Sequence, residues 1–127
     1  RLRPLWHLRL LLNYFSQTKA AQESTRAKFN QRLRNGDMET LNLPMKGVYF
    51  DQIKAGTKAE EYRLVTPFWS KRLSGRSYEY IRLTRGYPKR GDPDRTLVLP
   101  WKGCEVKTIN HPHFGPDDVQ VFAINVA

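Results

Sequence analysis

The stretch Gly56-Thr57-Lys58-Ala59-Glu60-Glu61-Tyr62-Arg63 decides how this chain is read. It follows an amphipathic segment, Met45 to Ala55, and runs into the apolar pair Leu64-Val65. Gly56 stands where a helix stops, because a glycine just past the last turn takes the left-handed conformation without a Cβ penalty. Beyond it the periodicity becomes that of a strand. Over Lys58 to Val65, Lys58, Glu60, Tyr62 and Leu64 then face one way, and Thr57, Glu61, Arg63 and Val65 the other. Lys58, at the strand's frayed start, is expected to converge with Glu61 and Arg63 on one cleft.

Working outward from this stretch, Leu41 and Leu43 alternate with Asn42 as a short strand that Pro44 is expected to end. Pro44 then reads as the first residue of a helix, with Met45, Val48, Tyr49 and Ile53 as its apolar face and Lys46 on its opening turn. Downstream, Thr66-Pro67 has the form of an N-cap followed by a first-turn proline, and Phe68 to Leu73 supplies one or two turns. Tyr78 to Thr84 alternates as a strand, with Ile81 and Leu83 on one face. Arg85-Gly86-Tyr87-Pro88 ends it, and Lys89 to Asp94 is a charged loop. Leu97, Leu99 and Trp101 mark a further strand, and Glu105 to Ile109 reads as its hairpin partner after the Lys102-Gly103 turn. Val119 to Val126 is apolar enough to be buried on both faces. The sum is an α+β chain, mainly β. The expected form is a mostly antiparallel, partly closed β-barrel of five or six strands with one or two helices at its end.

Residues 1–37 read differently. Leu5, Leu8, Leu12 and Phe15 have helical spacing, and Thr18 to Asn35 is a second helical run with only a thin apolar stripe (Ala20, Ala27, Phe29, Leu33) that stops at Gly36. Met38-Glu39-Thr40-Leu41 has the look of the start of a compact domain. The expectation is a basic helical arm or upstream extension over 1–37, solvated or loosely docked, and a domain over 38–127.

The 127 residues suffice for one domain with a real core. The net charge of +10 favours polyanionic partners, nucleic acid first. It is unevenly spread: residues 1–37 hold eight Lys/Arg and two acids, +6, while 38–127 hold fourteen and ten, +4. The longest apolar run, Leu10-Leu11-Leu12, is too short for a bilayer, so no membrane partner is expected. The sole cysteine, Cys104, excludes an internal disulfide and suits a reducing compartment such as the cytoplasm.

The spacing Gly56-x-Lys58-x-x-Glu61-x-Arg63, after a helix that follows Leu43-Pro44-Met45-Lys46, resembles the ASCH domain family (activating signal cointegrator homology), a relative of the PUA-like RNA-binding barrels. The resemblance covers residues 39–126 and meets the family pattern at all four fixed positions. Lys46 at the helix start, the Arg85-Gly86-Tyr87 corner and the apolar closing strand add to it. It implies a cleft beside the helix, open to RNA or a nucleotide-like ligand. Members generally bind RNA; some are similar to ribonucleases, others to small amidohydrolases of acetylated pyrimidine nucleosides.

The candidate nucleic-acid-binding residues are therefore Lys46, Lys58, Glu61, Arg63, Trp69, Arg72, Arg85 and Tyr87. Lys46, Lys58 and Arg63 are assigned to phosphate, and Glu61 and Tyr87 to a base. Trp69, Tyr80 and Tyr87, interleaved with Arg72, Arg82 and Arg85, have the composition of a base-stacking platform. The rival reading is a hydrolase acting on RNA or an acetylated nucleoside, with Lys58 and Glu61 as the catalytic pair, Lys58 serving as nucleophile or base if burial lowers its pKa. A third is a protein-interaction module working through the basic arm. The plainer alternative for Lys58, Glu61 and Arg63 is a structural ion cluster. His111-Pro112-His113 near Asp117 and Asp118 lacks a third ligand at telling spacing, so no metal and no cofactor is assigned.

Overall fold

The computed structural model describes residues 18–36, 38–89 and 92–127. The apolar stripe expected over Leu5 to Phe15 lies outside the described residues. Among the described residues helix α1 (Lys19–Arg34) comes first, its N-cap Thr18 accepting from the Ala21 N–H at 3.3 Å. After it the strands are shared between two sheets. Strand β1 (Thr40–Met45), helix α2 (Gly47–Lys54), strand β2 (Glu60–Leu64), helix α3 (Pro67–Leu73) and strand β3 (Tyr80–Arg85) follow in order. Strands β4 (Thr96–Pro100), β5 (Cys104–Ile109) and β6 (Val119–Asn125) complete it.

One sheet has the order β1-β3-β4, with β1 parallel to β3 and β4 antiparallel to it; the other has the order β2-β6-β5 and is wholly antiparallel. The pairs Leu41↔Ile81, Leu43↔Leu83, Ile81↔Leu99 and Leu83↔Leu97 line up one apolar face of the first sheet. Phe122 and Ile124 of β6, Phe50 and Ile53 of α2, and Leu73 of α3 join that face in a single core. Each such side chain contributes about 2 kcal/mol on removal from water. The central strand β6 carries four consecutive buried residues, Val121 to Ile124, as its unbroken apolar run requires.

The α+β, mainly β class stands; among the described residues the six strands form two three-stranded sheets and no closed barrel. Two local expectations also change. Pro44 does not end β1 or open the helix: it pairs with Thr84 inside the strand. Its missing N–H costs little there because β1 is an edge strand. The helix consequently starts three residues later, with Lys46 as N-cap. Met45 stays on β1, Phe50 and Ile53 fill the core, and Val48 is 56% exposed.

The second change concerns β4 and β5, which are not hairpin partners; β5 pairs with β6. The outer edge of β4 is already taken by α1. Buried Gln22 donates to the Val98 carbonyl and accepts from the Val98 N–H, and Arg26 donates to the Thr96 carbonyl at 3.2 Å. Phe29 of the same helix is buried edge-on against Tyr80, with ring centroids 5.6 Å apart. The helical run expected as a solvated or loosely docked arm is, over 19–34, packed onto the first sheet.

Candidate functional site: an aromatic-walled pocket over a buried ion cluster

Gly56, at φ +79°, turns the chain out of α2, and Thr57 fastens the turn by donating from both its backbone N–H and its hydroxyl to the Gln52 carbonyl. This delivers Lys58 to the mouth of β2. In the β2–β6 ladder Glu61 is opposite Ile124 and Arg63 opposite Phe122, so both point to the core side of the sheet. The three side chains meet there, as the sequence suggested.

Glu61 is only 3% exposed. Its Oε1 accepts the Tyr62 backbone N–H at 3.1 Å and lies 3.6 Å from Lys58 Nζ. Its Oε2 sits 3.1 Å from Arg63 Nη1, close enough for charge attraction but without hydrogen-bond alignment, and it accepts no hydrogen bond among the described residues. Arg63 spends its guanidinium inward: Nη1 donates to the Tyr62 carbonyl at 3.0 Å and Nη2 to the Pro44 carbonyl at 2.9 Å. The group also lies 5.2 Å from the Trp69 ring centroid. Arg63 thus ties β2 to β1 and holds the carboxylate in place. Lys58 Nζ lies 4.6 Å from the Tyr62 ring centroid and 5.1 Å from that of Tyr49. Burial pushes the Lys58 amine below the ordinary lysine range, and Glu61 beside it pulls the other way.

Above this floor opens a cavity of about 470 Å³. Its walls are largely aromatic. The 3₁₀ turn Pro112–Phe114, capped by His111 Nδ1 accepting from the His113 N–H at 3.1 Å, brings both histidines onto Tyr49. Their ring centroids lie 5.9 and 5.6 Å from that of Tyr49, and His113 meets Phe114 at 4.9 Å. Trp69 and Phe68 of α3 line it as well, on a helix capped by Thr66, whose hydroxyl accepts the Trp69 N–H at 3.3 Å. Exposed Lys46 stands at the rim. Burial, and then the charge of Lys46, lower the pKa of His113.

Of the eight residues expected at the site, Lys46, Lys58, Glu61, Arg63 and Trp69 line this cavity. Arg72 is one layer out, its guanidinium 3.5 Å over the Phe68 ring centroid and donating to the Phe68 carbonyl. Arg85 pairs with Asp51 at 3.2 Å on the outer side of α2, and Tyr87 is 91% exposed at its corner; neither lines the cavity. The expected trio of Trp69, Tyr80 and Tyr87 does not assemble, since Tyr80 is covered by Phe29. The sequence reading missed Tyr49, Tyr62, Phe68 and Phe114, and weighed His111 and His113 only as metal ligands. Among the described residues no three His, Cys, Asp or Glu side chains gather as a metal site needs. Compared with protein-family profiles, curated proteins and solved structures, the chain finds no match in any of the three.

Proposed function

We propose that this chain is an RNA-binding module of the ASCH type, PUA-like in its ancestry, that takes one unpaired base into the pocket beside α2. The observation that carries the reading is the pairing of aromatic walls with a buried, incompletely hydrogen-bonded carboxylate at the floor of a 470 Å³ cavity. That volume falls in the range of about 300–1,000 Å³ typical of small-ligand pockets, and favours a single nucleotide over a stretch of strand. Tyr49, Tyr62 and the His111–Phe114 turn offer ring faces for stacking, worth about 1–3 kcal/mol per base. Glu61 accepts from the base edge. Lys46 meets a backbone phosphate at the rim, while Arg63, engaged with two backbone carbonyls, serves as the support of Glu61. Arg85 and Tyr87 serve only strands long enough to leave the pocket.

The test is binding of labelled single-stranded RNA oligomers at low salt. Affinity should fall as salt rises, and Lys46→Ala should weaken binding and flatten the salt slope by about one charge. Absence of binding at low salt removes the reading.

One observation favours a second reading, hydrolysis of RNA or of an acetylated nucleoside. Lys58 is 3.6 Å from Glu61, and burial lowers its pKa, which raises the fraction of neutral, nucleophilic amine. Incubation with labelled RNA and with N4-acetylcytidine separates the two readings. No turnover, with binding intact, leaves the binding module alone.

A further inference from the structure

We infer that the pocket selects bases carrying an exocyclic amino group over their oxo counterparts: cytosine over uracil, and adenine over hypoxanthine. The inference rests on the reading of the pocket as a base site and deepens it. An ionised carboxylate only accepts hydrogen bonds, so whatever completes Glu61 must donate an N–H or O–H. Its Oε1 is already engaged by the Tyr62 N–H and Lys58, and its Oε2, equally buried, has no hydrogen bond among the described residues. The floor therefore presents a carboxylate whose hydrogen bonding is incomplete, with the Lys58 ammonium beside its Oε1 as a donor and a positive charge. Arg63, itself held by the Pro44 and Tyr62 carbonyls, lies 3.1 Å from Oε2 and draws that side of the carboxylate toward its charge.

An amino group matches that arrangement. It stands at the periphery of the ring and reaches a single oxygen, and the neighbouring ring nitrogen (N3 of cytosine, N1 of adenine) is an acceptor for Lys58. Uracil and hypoxanthine reverse both positions. A carbonyl oxygen then faces the Glu61 carboxylate, and an N–H faces the ammonium. If the uracil N3–H turns toward the carboxylate instead, its two flanking carbonyls lie against it. Stacking on Tyr49, Tyr62 and the His111–Phe114 turn is indifferent to the exchange, because every base has a π face. Discrimination thus falls on Glu61.

The experiment titrates the full chain with CMP, UMP, AMP and IMP at low salt, followed by intrinsic fluorescence or calorimetry, beside a mixed-sequence single-stranded RNA oligomer. UMP is expected to bind at least about tenfold more weakly than CMP, and IMP than AMP, a factor equivalent to about 1.4 kcal/mol. The Glu61→Gln protein, its fold checked by circular dichroism, should bring each pair within about threefold, because an amide offers a donor as well as an acceptor. Should that variant fail to fold, the two wild-type pairs still decide. Equal affinities within the pairs, or RNA binding with no mononucleotide bound, overturn the selectivity and leave the RNA-binding reading standing. Failure of all four nucleotides and of the oligomer overturns both.

Discussion

Gln22 of α1 bonds both backbone groups of Val98 on β4: its Nε2 donates to the carbonyl at 2.7 Å, and the Val98 N–H donates to its Oε1 at 3.1 Å. A side-chain amide here takes the place of a neighbouring strand, 76 residues away in sequence. β4 ends its sheet, and an edge strand with open N–H and C=O groups is a template for pairing with another chain. The helix closes it.

Gln22→Leu should therefore cost more than loss of one helical contact. It strands a buried donor and a buried acceptor, each worth about 1–3 kcal/mol when left unsatisfied. We expect a fall in unfolding free energy of about 2 kcal/mol or more by urea titration, with concentration-dependent association by light scattering. A change below about 0.5 kcal/mol would show that α1 is not needed to seal the edge.

This relationship also marks where the sequence stops being legible. The thin apolar stripe of Thr18 to Asn35 argued for a solvated helix, because apolar periodicity registers burial of hydrophobic surface and is blind to a polar residue that docks on a backbone edge. The same blindness explains β5, since nothing in Glu105 to Ile109 tells that β4 already has a neighbour. Local chemistry was readable: the Gly56 turn, the Thr66-Pro67 cap, the alternation of Ile81 and Leu83, and the convergence of Lys58, Glu61 and Arg63 all follow from short-range rules. The pocket wall was not. His111 to Phe114 is some fifty residues from the motif it covers, and only the register of β6 against β2 brings the two together. Three ring-bearing residues, His111, His113 and Phe114, surround Pro112, and nothing local says what they pack against.

The ion cluster predicts an order of damage. Glu61→Ala leaves the Lys58 and Arg63 cations facing each other in a partly buried site, and removing one member of such a cluster costs about 3 kcal/mol or more. Lys58→Met leaves Glu61 opposite Arg63, with the methionine stem replacing that of lysine against Tyr49 and Tyr62, and should cost clearly less. Denaturant midpoints of the two variants decide it. If Lys58→Met proves the more harmful, Arg63 does not hold Glu61 as described.

Gly47 predicts a small effect where the geometry looks severe. A Cβ there would lie 2.5 Å from Arg85 Cζ and Nη2. The obstruction is the end of a flexible side chain whose pair with Asp51 is exposed, and such pairs contribute about 0–1 kcal/mol. Alanine gains up to about 1 kcal/mol over glycine in a helix, less at its first residue. Gly47→Ala should thus stay within about 0.5 kcal/mol of wild type, with Arg85 displaced. A loss above about 1.5 kcal/mol would mean that Arg85 is fixed by something other than Asp51.

His113 gives the chain a pH dependence with a definite sign. Burial against the pocket wall and the charge of Lys46, with His111 and Arg63 adding to them and Glu61 opposing, hold its folded pKa below the ordinary 6.5. Between that lowered value and 6.5 the unfolded chain binds more protons than the folded one, so stability falls as the solution is acidified through this window and is fully present above it. His113→Gln removes the titration. Urea midpoints measured at pH 7.5, 6.5 and 5.5 should fall more steeply for the wild type than for the variant. Because His113 is largely exposed, the gap will be modest, yet its direction is fixed. A wild type that gains relative to the variant on acidification would place His113 beside a carboxylate that dominates Lys46, and would require the turn to sit deeper over Glu61 than it does.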